Sequence, residues 1–255
     1  MLATVLAPNA SPLTLDGTRT YLVGESRVAV IDPGSDDPGH LDAIAETLGD
    51  SVLVAVLVTH GHPDHVGGAG ALAERHDAPV RRLANGSIRP GDAVGTDAGA
   101  LVAVPTPGHT RDHLAFHWPE EEAVFCGDLM MGGENTALVA PPEGRLGPYL
   151  DSLERVRALR PRTLYPAHGL PFEDPDAAID RYLRHREDRL EQVVAALRGG
   201  ARDYDALREA VYGNDLAPEL ERAATAALKA YLEYLQGQGR ARRIGRGWEL
   251  TDAGA

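Results

Sequence analysis

The stretch Leu57-Val58-Thr59-His60-Gly61-His62-Pro63-Asp64-His65-Val66-Gly67-Gly68 decides how this chain is read. It contains the end of the apolar, β-branched run Val52 to Val58, which has the length and punctuation of a buried strand. His60, His62, Asp64 and His65 therefore sit where a strand gives way to a loop, a rigid base for a site. Three imidazoles and a carboxylate have no packing reason to crowd into six residues. As a donor set they suit zinc, manganese or iron. One histidine in such a place is more often structural than functional, but four metal-capable side chains at this spacing reverse that reading.

Three more positions follow along the chain: His109 in TPGHTRDH, Asp128 in FCGDLM and His168 in LYPAHG, each after an apolar or Pro-Gly context. Together with H-x-H-x-D-H they resemble the signature of the metallo-β-lactamase superfamily. The flanks NASPLTLDGTRTYLVG, VIDPG and APPEGRLGPYLDSLERV resemble the branch of the lactamase-β-like-2 endoribonucleases and their bacterial hydrolase relatives. The resemblance covers essentially the whole chain. It implies an α/β fold, the αββα metallo-β-lactamase sandwich, with its site at one edge and two divalent metal ions, zinc ahead of manganese or iron.

By the same resemblance His60, His62 and His109 hold one ion, Asp64, His65 and His168 hold the other, and Asp128 bridges them. Spacing alone does not divide seven ligands between two ions. The implied chemistry is hydrolysis by a hydroxide drawn from water between the two cations, with Asp64 as the catalytic residue that orients it. The family pattern has Asn where Arg19 stands in GTRTYLVG, so contacts near that loop do not carry over. His62 speaks against flavodiiron relatives, which carry an acidic residue there. Only 39 residues separate Asp128 from His168, too few for the large inserted domain of the β-CASP nucleases.

A chain of 255 residues suffices for one large domain and a small one. Its net charge of −13 is uneven. Residues 1–174 carry 12 basic and 24 acidic side chains, residues 175–255 carry 13 and 14. That balance offers little attraction to polyanions and weakens a nucleic-acid reading. The lone cysteine, Cys126, reads as a small buried hydrophobe. The N-terminal MLATVLAPNASPL lacks the features of a signal peptide, and no stretch approaches a membrane span. A cytoplasmic protein with no membrane partner is expected.

Strands are expected over residues 2–7, 20–24, 28–31, 79–83, 101–104 and 123–126, with helices near 41–48, 67–76 and 149–159. Residues 84–99 read as loop. Asp32 either supports a ligand imidazole from behind or merely starts an Asp-Pro-Gly turn. His113 and His117, alternating with apolar residues in HLAFHW, read as structural, and His76 as a solvated residue at a helix end. Met130 and Met131, in the Gly- and Pro-rich segment 129–147, read as either a pocket wall or core.

A boundary is expected near 171–175, separating a catalytic domain (1–174) from a helical, winged-helix-like domain (175–255). Helices over 176–198, 203–212 and 218–236 precede a hairpin carrying Arg240, Arg242, Arg243 and Arg246. The module would cap the active-site cleft or make a homodimer. The function expected is hydrolysis of a small-molecule ester or thioester. The alternative is an endoribonuclease for single-stranded RNA, which the basic hairpin would serve. A DNA-binding regulator is disfavoured by the metal site and by a near-neutral module.

Overall fold

The computed structural model describes residues 1–252 and 254, with the Glu219 side chain left out. Two five-stranded sheets lie face to face. The first has strand order β1-β2-β3-β4-β5, from β1 (Leu2–Leu6), β2 (Arg19–Val23), β3 (Arg27–Ile31), β4 (Val52–Leu57) and β5 (Val80–Arg81). The second has the order β10-β9-β8-β7-β6, from β6 (Ala93–Thr96), β7 (Gly99–Pro105), β8 (Leu114–Trp118), β9 (Ala123–Gly127) and β10 (Thr163–Pro166). Pairings β3–β4, β4–β5 and β9–β10 are parallel; the rest are antiparallel.

Side-chain alternation assigns each face. Tyr21, Ile31 and Leu57 point inward to meet Leu114, Phe116 and Phe125 of the second sheet. The rings of Tyr21 and Phe125 lie 5.1 Å apart. Leu22, Val30 and Val56 alternate outward, onto α1 (Pro38–Leu48) and α3 (Ala69–Arg75). On the other outer face Ala115, Val124 and Cys126 meet α4 (Leu146–Ala158). Each large side chain buried this way stabilises the fold by roughly 1.5–3 kcal/mol. The αββα layering is thus written in period-two alternation on both sheets.

The C-terminal part comprises α5 (Pro175–Arg198), α6 (Tyr204–Tyr212), α7 (Pro218–Gly237) and an antiparallel hairpin of β11 (Ala241–Ile244) and β12 (Gly247–Leu250). These helices do not form a separate island. One hydrophobic cluster runs from Val124 and Cys126 through Tyr149 to Tyr182, Tyr231 and Trp248. Among the described residues no helix is long and apolar enough to cross a membrane.

Several local expectations shift. Residues 84–99 are not all loop: Ala93–Thr96 pairs with β7 as an edge strand. Alternate exposure and a central glycine hid it, because an edge strand buries only one face. The loop expected after β4 contains a helical turn, α2 (Pro63–Val66), with Pro63 at its first position. Gly67 and Gly68, expected to open the helix toward His76, lie between α2 and α3, with Gly68 capping the start of α3.

Candidate metal centre

All seven side chains singled out in the sequence converge at one edge of the sandwich, each carried past the end of a strand. β4 leads to His60 and through α2 to Asp64 and His65; β7 leads to His109, β9 to Asp128 and β10 to His168. Gly127 turns the chain before Asp128 with φ +50°. A Cβ there would come within 2.8 Å of the His113 ring, so glycine is required on both counts.

Two donor groups result: His60, His62, His109 and Asp128 in one, and Asp64, His65 and His168 in the other. Nε2 of His60 and Nε2 of His109 lie 2.9 and 3.0 Å from Nδ1 of His62. Ligands of one tetrahedral zinc would stand roughly 3.3 Å apart. Asp128 faces both groups. Its Oδ2 is 3.4 Å from His109 Nε2, and its Oδ1 is 3.4 and 3.3 Å from Nε2 of His65 and His168. Asp64 Oδ2 lies 3.4 Å from His168 Nε2 and 3.6 Å from that of His65.

The far nitrogens are held in place. Nδ1 of His60 meets Thr59 Oγ1 at 3.0 Å, that of His65 meets Asp32 Oδ2 at 2.9 Å, that of His109 meets the Leu138 carbonyl at 2.7 Å, and that of His168 meets the Gly17 carbonyl at 3.2 Å. Each of these contacts leaves Nε2 aimed at the centre. Asp32, given two readings from sequence, takes the supporting one: it also accepts from the Thr59 amide at 2.8 Å and hydroxyl at 2.7 Å. His113 is structural, as expected, but close by. Its Nε2 accepts from the Asp128 amide at 3.1 Å, and its Nδ1 meets Thr106 Oγ1 at 2.8 Å. The supporting roles of Thr59, Thr106 and the Gly17 and Leu138 carbonyls carry no sequence signal, since they depend on where distant loops meet.

Nε2 of His65, Nε2 of His168 and Oδ1 of Asp128 are buried with no hydrogen-bond partner. Orphaned buried donors and acceptors are expensive, and here all three point at one another's centre. Burial alone would lower His65, but the Asp128 and Asp32 carboxylates outweigh it and raise its pKa well above the usual imidazole value. Burial would raise Asp128, yet His65, His168 and His109 drive it well below the carboxylate range. A nest of nitrogens and carboxylate oxygens with unmet bonding capacity fits a pair of small divalent cations.

The centre opens into a cavity of about 520 Å³. Its floor is His62, Asp64, His109 and Asp128; its far wall is α7, through Leu220, Ala224, Ala227 and Tyr231. Leu220 of α7 is 43% exposed and faces the mouth, where Leu13 is 59% exposed. Met131 lines the cavity, whereas Met130 is core. Tyr182 of α5 pins the intervening segment: its hydroxyl accepts from the Met131 amide at 2.7 Å and donates to the Met131 carbonyl at 2.9 Å.

Fold and donor set together define an αββα protein built around a dinuclear-type metal site. The family model described as the metallo-beta-lactamase superfamily matches residues 13–87 and 84–168. The chain belongs to that superfamily, and is an enzyme with the site of a metal-dependent hydrolase. It is 32% identical to "Lactamase-like protein adaB" of Aspergillus niger, over 89% of this chain and 78% of that one. It is 32% identical to "Atrochrysone carboxyl ACP thioesterase nsrC" of Aspergillus novofumigatus, over 78% of this chain and 63% of that one. A "Beta-lactamase-like protein 2 homolog" of Caenorhabditis elegans is 28% identical over 76% of this chain and 70% of its own length. A metallo-beta-lactamase family protein of Thermus thermophilus superposes with a TM-score of 0.82 at 24% identity over 98% of both chains.

Proposed function

We propose that the chain is a dinuclear metal-dependent hydrolase of small esters or thioesters with an apolar acyl group. The observation that carries this reading is the placement of both donor groups on the floor of an apolar cavity. Two divalent cations, zinc ahead of manganese or iron, would make water acidic enough to attack near neutral pH and polarise an acyl oxygen. His60, His62 and His109 would hold one cation, Asp64, His65 and His168 the other, and Asp128 both. The apolar part of the wall, Met131, Leu220, Ala224 and Ala227, would bind the acyl group. Asp64 is the catalytic residue of the proposal: it lies on the cavity floor with a 27% exposed side chain, placed to accept the proton of the attacking water. The thioesterase among the similar proteins supports an acyl thioester as substrate class.

The same proposal treats residues 1–174 as the catalytic domain and residues 175–255 as a winged-helix-like lid over it. The basic hairpin packs at the far ends of the lid helices. There the Trp248 amide donates to the Arg202 carbonyl, just past the end of α5, at 2.9 Å, while the cavity uses the middle of α5 and the stretch of α7 from Leu220 to Tyr231. Arg242 is paired with Glu249 at 2.6 Å. Both points favour the small-molecule reading over an endoribonuclease. A homodimer would be a second use of the lid, and a cytoplasmic location completes the proposal.

The test is a parallel screen of zinc- and manganese-loaded protein against acyl thioesters, lactones and a fluorescent single-stranded RNA, with Asp64→Ala as blank. Thioester or lactone turnover with RNA intact is the expected result. Metal-dependent RNA cleavage that vanishes in the blank would overturn the reading.

A further inference from the structure

A buried cation in the cavity has no part in the chemistry above. Arg186, on α5, lines the cavity and is only 5% exposed. Its Nη2 donates to the Ala137 carbonyl and its Nη1 to the Tyr231 hydroxyl at 3.3 Å. The guanidinium carbon lies 4.9 Å from the centre of the Tyr149 ring. Its Nε is buried with no partner. All of these neighbours are neutral, and among the described residues no carboxylate forms an ion pair with it.

A guanidinium stays protonated in a protein. Here it is a positive charge held out of water without a counter-ion, a costly arrangement unless something supplies the missing charge. Its planar fork of donors is the geometry that matches an anionic oxygen pair. Its position also bears on the metal centre. Ala137 precedes Leu138, whose carbonyl holds the His109 ring, so consecutive carbonyls of one segment hold the guanidinium and a proposed metal ligand.

We infer, resting on the hydrolase reading, that Arg186 is a specificity-determining residue that binds a carboxylate-class anion on the acyl part of the substrate. The rest of that acyl group is apolar, as the α7 wall requires. The competing role is purely structural: Arg186 would tie the segment around Ala137 to α5 and α7. That role uses Nη1 and Nη2 but supplies no negative charge to the buried guanidinium.

Two matched probes separate these roles: the N-acetylcysteamine thioesters of 4-carboxybenzoate and of 4-acetylbenzoate, equal in bulk but differing in charge. On metal-loaded wild-type enzyme the carboxylate probe should be favoured in kcat/KM by at least about tenfold, the scale of a charged hydrogen bond. In Arg186→Met that ratio should fall to near one. A wild-type ratio near one would overturn the inference, as would a variant that loses activity on both probes equally. A second readout needs no turnover. By calorimetry the metal-loaded wild type should bind terephthalate at least about tenfold more tightly than 4-acetylbenzoate, and equal affinities would count against the inference even if Arg186→Met fails to fold. If neither thioester is turned over, the hydrolase reading falls, while the calorimetric preference still decides whether Arg186 recognises an anion.

Discussion

The two donor groups of the metal centre are built differently. Asp64, His65 and His168 contain a sunken pair: the His65 and His168 side chains are 0% and 1% exposed, and a buried carboxylate, Asp32, stands behind His65, while Asp64 is 27% exposed on the cavity floor. His60, His62 and His109 form a looser group. The His62 side chain is 38% exposed, and its remote nitrogen lies 3.8 Å from the exposed Glu143. Preorganisation differs accordingly. His65 and His168 are held at their final geometry by contacts that exist without any ion, as are His60 and His109; His62 is the imidazole with an arm in solvent. Tight binding is expected on the sunken side, and exchange and substrate access on the His62 side.

Asp128→Ala attacks what the groups share and should have the largest effect, a fall in hydrolysis of at least about a thousandfold, since both ions lose a ligand. Metal analysis and steady-state rates check it together. His65→Ala comes next. It strands Asp32 and Asp128 without their buried partner and should destabilise the fold by roughly 3–5 kcal/mol, read by urea denaturation. Asp32→Asn keeps the shape but weakens the support of His65, and should lower metal affinity by about 10- to 100-fold. His62→Ala should remove one ion while changing stability by no more than about 0.5 kcal/mol, because its side chain is half out in solvent.

The smallest effect concerns pH. Burial, with His109 beside it, lowers the His113 pKa to about 3, so the folded ring stays neutral. The unfolded chain takes up that proton near its ordinary value. Stability from this residue is therefore complete above about pH 6.5 and declines as pH falls from there toward 3. The decline of Tm between about pH 6.5 and 4 should be shallower in His113→Asn than in wild type. Parallel slopes would contradict a neutral, supporting imidazole.

What the sequence made legible follows the same division. The cluster of seven His and Asp side chains was visible because rare side chains gathered at strand ends, as at His60 and Asp128, survive as motifs. The sandwich was visible because both sheets are buried on two faces, leaving runs such as Val52 to Leu57 almost wholly apolar. Edge features were not visible. Strand β6 buries little, and helix α2 is only four residues long. The supporting shell was half visible: Asp32 could be suspected, but Thr59 and the Gly17 and Leu138 carbonyls could not. Leu220 lies on the apolar stripe of α7, and periodicity alone cannot say whether such a stripe ends against core or over a hollow.

The most direct test of the unequal, Asp128-linked groups is a zinc titration of wild type and His62→Ala, with bound metal counted by mass spectrometry. Wild type should bind two equivalents, and His62→Ala should retain a single equivalent with wild-type affinity on the sunken side. One equivalent in wild type, or loss of both ions in His62→Ala, would contradict unequal groups.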